Sequence, residues 1–105
     1  MLKKFFKLKD NDNNNILHIM ISDNKCDKIK KLLEKGLKYG YLDYIINKQN
    51  KEGDTPLHLA VKNKNYSIAS LLIDYGANKN IMNCQGQKIT MNGGGTKTFI
   101  GKRYL

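Results

Sequence analysis

Few side chains in this 105-residue chain could do chemistry. Two histidines, His18 and His58, stand 40 residues apart, and two cysteines, Cys26 and Cys84, lie farther apart still. Imidazole and thiolate are zinc ligands in kind, but structural zinc sites draw them from close pairs, and neither pair is close here. No metal ligand set is expected. A structural, hydrogen-bonded role is the expected one for each imidazole. Gly93-Gly94-Gly95-Thr96-Lys97-Thr98 has the glycines, lysine and hydroxyl of a phosphate loop. That loop needs glycine directly before the lysine, a strand before it and a helix after it. Here Thr96 precedes Lys97 and too little chain remains for a helix, so a flexible tail is expected. No serine, cysteine or carboxylate stands in a nucleophile or acid–base motif. No catalytic residue and no cofactor is assigned.

The remaining candidate chemistry is ionic and aromatic. The formal net charge is +10 and the pI about 9.6. Such a balance attracts polyanions in general. Nearly all of it is lysine, however, and Arg103 is the one arginine. Phosphate and base readout favour arginine, whose planar fork meets two oxygens at once. The chain is also rich in Asn, Lys and Ile, whose codons are A/T-rich, so genome composition accounts for much of the charge. Lys28, Lys30, Lys31 and Lys35 read as a solvated helix face, with an anionic-partner patch as the alternative. Tyr39, Tyr41 and Tyr44, near Lys35, Lys38 and Lys48, allow stacking on a single-stranded nucleic acid or a protein-binding loop. Simple packing of that segment is the expected reading.

No apolar run reaches membrane-spanning length. Met1-Leu2-Lys3-Lys4-Phe5-Phe6-Lys7-Leu8-Lys9 is basic but lacks a signal-peptide core and cleavage site. A soluble intracellular setting, cytoplasmic and reducing, is expected, with both cysteines as free buried thiols.

The elements that would position these side chains repeat along the chain. Thr55 is a good N-cap, and Pro56 fits the first helical position, where its missing N–H costs nothing. Leu57, Ala60 and Val61 give a short helix one apolar face. After the polar break Asn63-Lys64-Asn65, a second helical stripe runs through Ile68, Leu71, Leu72 and Tyr75. Gly76 supplies the left-handed stop. Asn83-Cys84-Gln85-Gly86 repeats the opening turn Asn50-Lys51-Glu52-Gly53 at a spacing of 33 residues. An earlier copy is offset by 40 residues: Ile16-Leu17-His18-Ile19 aligns with Pro56-Leu57-His58-Leu59, and Gly36 with Gly76. Asn15 replaces Thr55 as the cap. The excess places an insertion after Gly36, in residues 37–44, within a loop that tolerates it.

Residues Thr55-Pro56-Leu57-His58-Leu59-Ala60 match the pattern T-P-L-H-x-A. With Gly53, Gly76, Gly86 and the 33-residue spacing, the chain resembles the ankyrin-repeat family over about residues 10–87. The resemblance implies an all-α fold, a short solenoid of stacked antiparallel helix pairs joined by hairpin-like loops. Repeat one is expected at about 10–49, repeat two at about 50–82 and a third-repeat start at 83–87. A basic segment, 1–9, precedes them and a glycine-containing irregular tail, 88–105, follows. The third repeat begins and is not completed, so the C-terminal face is expected to lack a proper cap and to be open to self-association.

The family is a protein-recognition scaffold, and its partners lie across the hairpin tips and the first helices. Carried onto matching positions, the tip candidates are Lys51, Glu52, Asp54 and Gln85. The first-helix candidates are Ser22, Asp23, Lys62 and Asn63. The resemblance thus implies a non-enzymatic protein–protein interaction module. A family member of this composition fits an intracellular parasite or a large DNA virus, with a host protein as partner. Two alternatives stand beside it: a basic binder of nucleic acid or another anionic surface, and a remnant of a longer ankyrin protein without independent function.

Overall fold

A computed structural model describes residues 9–90 and 98–100, the latter and Thr90 through their backbone alone. Among the described residues there are five helices and two short strands. The helices are α1 (Ile16–Ser22), α2 (Cys26–Tyr39), α3 (Leu42–Ile45), α4 (Pro56–Lys62) and α5 (Tyr66–Asp74). The strands β1 (Lys88–Thr90) and β2 (Thr98–Ile100) pair antiparallel, with Ile89 opposite Phe99. The α1–α2 and α4–α5 pairs are the two helix pairs aligned in the sequence, and α1 packs against α4 between them.

Seven-residue helices are too short to persist alone, so α1 and α4 depend on caps and burial. Both begin with a capping box in which histidine takes the place of the usual acidic residue. The Thr55 Oγ1 accepts from the His58 N–H at 3.2 Å, and the His58 Nδ1 accepts from the Thr55 N–H at 3.1 Å. The Asn15 Oδ1 accepts from the His18 N–H at 3.0 Å, and the His18 Nδ1 accepts from the Asn15 N–H at 3.1 Å. Asparagine at this cap has a physical use that threonine lacks. Its second arm, Nδ2, donates to the Ile45 carbonyl at 2.9 Å and so fastens the end of α3 onto the start of α1.

Segment 37–44, expected as an insertion within a loop, is largely helical. It extends α2 to Tyr39 and then forms most of α3. Gly36 is accordingly not a helix stop. It is buried inside α2, where an added Cβ would lie 3.3 Å from the Leu42 Cα, so its missing side chain admits α3. The left-handed stop comes four residues later, at Gly40, with φ of 78°.

Leu17, Ile21, Ile29, Leu33, Ile45, Leu57, Ile68 and Leu72 are fully or almost fully buried in one continuous core. Ile89 of β1 joins it, so part of the C-terminal end is covered by the chain itself. Leu71, Ile73 and Tyr75 are half-buried at α5. Cys26 and Cys84 are free but exposed, contrary to the expected burial, because one opens α2 and the other sits on a turn.

The links between paired helices share one backbone form. The Asn24 and Lys64 N–H groups donate to the Ile21 and Val61 carbonyls, and the Lys25 and Asn65 N–H groups to those of Met20 and Ala60. This is a Schellman ending, whose pivot residue is left-handed. Asn24 and Lys64 both have φ of 58°. Asparagine tolerates that region, whereas a lysine Cβ is strained there by about 1 kcal/mol. Lys64→Gly is therefore expected to raise stability by roughly 0.5–1 kcal/mol. A urea midpoint at or below that of the parent chain would refute the strain.

Candidate functional site

Three turns of the same design line one edge of the stack: Asp10–Asn14, Asn50–Asp54 and Asn83–Gln87. In each, the first side chain accepts from the N–H groups two and four residues on. Asp10 Oδ1 takes those of Asp12 and Asn14 at 2.9 Å each. Asn50 Oδ1 takes those of Glu52 and Asp54 at 3.0 Å each. Asn83 Oδ1 takes those of Gln85 and Gln87 at 3.0 and 2.9 Å. The fourth residue is left-handed each time: Asn13 at 62°, Gly53 at 78° and Gly86 at 75°. The first turn carries Asn13 where the others carry glycine, so glycine spacing alone does not reveal it.

Consecutive turns are locked by equivalent bonds. The Lys51 N–H donates to the Asp12 carbonyl at 2.8 Å, and the Cys84 N–H to the Glu52 carbonyl at 3.0 Å. Asn50 Nδ2 donates to Asn14 Oδ1, and Asn83 Nδ2 to Asp54 Oδ1, both at 2.9 Å. The histidines supply the third link. His18 Nε2 lies 2.8 Å from the Asp54 carbonyl, and His58 Nε2 lies 2.8 Å from the Gln87 carbonyl. A ring with its proton on Nε2 lets that nitrogen donate to the carbonyl while Nδ1 accepts the backbone N–H. Burial holds both below the ordinary histidine pKa, against the opposing pull of that carbonyl bond and of the Asp54 charge. Each imidazole thus serves as a strut between repeats. Among the described residues no His, Cys, Asp and Glu grouping could hold a metal ion.

The candidate contact residues divide into three places. Lys51 and Glu52 are exposed at the second turn, where with Asp12, Asn14 and Asn50 they line a small recess. Gln85 is exposed on the third turn. Ser22 and Asn63 line a second, open groove of about 600 Å³ between the two helix links, beside Asn24, Lys64, Asn65 and Ser67. Asn65 Nδ2 donates to Asn24 Oδ1 across its floor. Asp23 is exposed nearby.

Asp54 departs from its expected place at a tip. Its side chain is 0% exposed. It turns inward because Lys62 Nζ donates to its Oδ2 at 2.6 Å and Asn83 Nδ2 to its Oδ1. Lys62 is likewise committed, to a carboxylate inside the stack, although its side chain is 36% exposed. Lys62→Glu would set two carboxylates together at a buried position, and is expected to cost about 1–3 kcal/mol. Lys51→Glu, on the open turn, is expected to change stability by less than about 0.5 kcal/mol. Equal urea midpoints for the two variants would show that the Lys62 pair carries no weight.

Both the sequence and the fold have counterparts among known proteins. Residues 1–83 match the family model described as ankyrin repeats (3 copies). The chain is 35% identical over 71 residues to ankyrin repeat and SOCS box protein 11 of Mus musculus, covering 68% of this chain and 20% of that protein. It is 37% identical over 71 residues to an ankyrin repeat protein of Rickettsia bellii, covering 68% of this chain and 42% of that one. The solved ankyrin-repeat fragment of Swi6 from S. cerevisiae superposes with a TM-score of 0.64 at 27% identity, covering 83% of this chain and 44% of that chain. The chain therefore spans less than half the length of each of these relatives.

Proposed function

Since this chain belongs to the ankyrin-repeat family, whose members are in general protein–protein interaction modules and typically non-enzymatic, we propose that it docks a protein partner across the face that runs from its turns, along α1 and α4, to its helix links. The observation that carries this reading is the division of labour across that face. Inward-facing groups such as Asp54, Asn83 and the two imidazoles hold the repeats together. Lys51, Glu52, Gln85, Ser22, Asp23 and Asn63 are left exposed on the frame so fixed. A preformed surface loses little entropy on binding, which is what rigid docking requires. The groove adds amides and hydroxyls suited to the polar main chain of a partner.

A photo-crosslinker attached at Ser22→Cys, with Cys26 and Cys84 first replaced by serine, tests the groove directly. A discrete crosslinked protein, absent when the probe sits at Asp74→Cys and reduced about tenfold or more by Lys51→Glu or Asn63→Arg, is the expected result. Crosslinking that ignores all three changes would place the docking surface elsewhere.

A further inference from the structure

The open groove between the two helix links has a chemistry of its own. Ser22 and Asn24 line it from one link, and Asn63, Lys64 and Ser67 from the other. All five are exposed. Asn65 joins the two sides. Its Oδ1 accepts from the Ile68 N–H at 3.3 Å, so its Nδ2 is the arm that donates to Asn24 Oδ1. Asn24 is thereby held with its own Nδ2 left as a donor. Among the described residues the side chains of Ser22, Asn63 and Ser67 have no hydrogen-bond partner. Among those residues Lys64 is also the one charged group that lines the groove, and no carboxylate does. Asp23 and Lys25 flank the groove in sequence with opposite signs, and Lys62 is held by Asp54. Lys64 stands at a φ of 58°, where glycine would be unstrained. Strain of this kind collects at ligand-binding positions.

Given the docking face assigned above, on which this step rests, we propose that the groove binds the main chain of an extended, acidic segment of the partner, with a carboxylate of that segment at Lys64 Nζ. A carboxamide presents a donor and an acceptor side by side, so Asn63 can pair with the N–H and C=O of one residue of such a segment. Asn24 Nδ2 and the two hydroxyls meet further carbonyls. Neighbouring helices lie about 8–10 Å apart, a distance that about three residues of extended chain span. A helical segment fits less well, since its own amides and carbonyls are already bonded to one another. A nucleic acid calls for a row of cations along its phosphates, and this groove offers one.

The test is an NMR titration of the isotope-labelled full chain with a blocked pentapeptide of alternating threonine and glutamate, in which threonine favours the extended form. The side-chain amide signals of Asn24 and Asn63 are expected to shift and to saturate. The same peptide methylated on its central main-chain nitrogens, or carrying glutamine in place of glutamate, is expected to bind about threefold more weakly or worse. Asn63→Ala removes two of the hydrogen bonds and should weaken binding about tenfold, and Lys64→Gly about threefold. Both variants should keep the fold, because the Asn63 side chain holds no other group and glycine suits the backbone at Lys64. Lys79→Gln, an exposed charge outside the groove, should bind as the parent does. Equal binding of the methylated peptide would show that the main chain is not read, and an equal loss in Lys79→Gln would reduce the contact to net charge. Either result overturns the assignment. So does the absence of shifts at Asn24 and Asn63, or their response to a single-stranded oligonucleotide in place of the peptide. Shifts confined to Lys51, Glu52 and Gln85 would overturn the groove as the site and leave docking at the turns standing.

Discussion

Gly53→Ala is expected to destabilise the chain by about 3–5 kcal/mol, enough to unfold much of a domain of this size. Two costs add at this position. The φ of 78° is left-handed, which strains any residue with a Cβ by roughly 1–2 kcal/mol. The added Cβ would also lie 2.5 Å from the Cys84 N and 3.0 Å from the Asn83 C and Cα. Those are backbone atoms of the next turn, so no side-chain rotation relieves the overlap. The third turn would have to withdraw. With it would go the bond from the Cys84 N–H to the Glu52 carbonyl and the bond from Asn83 to the buried Asp54 carboxylate. Gly76→Ala separates the two costs. Its φ is 99°, but nothing lies within 4 Å of its added Cβ. Only the backbone strain applies there, about 1–2 kcal/mol. Urea unfolding of both variants measures the difference. Equal losses would mean that the contact between turns yields freely and that the turns are not rigidly stacked.

That contrast also marks how far the fold was legible in the sequence. The spacing from Gly53 to Gly86 identifies two turns, because the left-handed fourth position of such a turn leaves glycine as its signature. The first turn uses Asn13 in the same conformation and so leaves no glycine to mark it. Its trace was Asp10, whose carboxylate does what Asn50 and Asn83 do with their amides. Gly36 misled for the opposite reason. It looked like the counterpart of Gly76, but it is glycine because Leu42 approaches, not because the backbone turns. A sequence shows that a Cβ is absent and is silent on which of these needs removed it. The helical character of 37–45 was hidden with it, since α3 holds its place through a tertiary bond from Asn15.

Exposure along the candidate contact surface was legible in part, and the limit was side-chain direction. Lys51, Glu52 and Gln85 point outward from their turns as the family pattern implies. Asp54 occupies the neighbouring position and points in, because a lysine and an asparagine from other elements claim both its oxygens. Position in a repeat settles the backbone of a residue. Which way a polar side chain turns depends on partners that are 8 and 29 residues away.

Acid should unfold the chain through its two histidines before its carboxylates matter. Both imidazoles are held below their ordinary pKa, chiefly by burial. The unfolded chain therefore takes up protons more readily than the folded one. Above the unfolded value, about 6.5, both states are neutral and the stability is complete. As pH falls below that value the unfolded chain protonates first, and stability declines until pH has passed through the folded values. The limiting slope is about 1.4 kcal/mol per pH unit for each imidazole. Geometry gives the same direction. A proton on Nδ1 would take away the acceptor of the Asn15 or Thr55 N–H and turn instead to the Asn15 Oδ1 or Thr55 Oγ1, 2.9 and 2.8 Å away. Asp10 is also shifted downward, by its bonds from Asn14, and its contribution is lost only as pH falls further, through the carboxylate range. His18→Gln isolates one strut. Its amide N–H can still reach toward the Asp54 carbonyl, but the Asn15 N–H loses its acceptor, which costs about 1–3 kcal/mol at neutral pH. Glutamine does not titrate, so the decline below about pH 6.5 should become half as steep. Urea midpoints for parent and variant across this range decide the matter: an unchanged slope would show that the acid sensitivity lies outside the strut between the repeats.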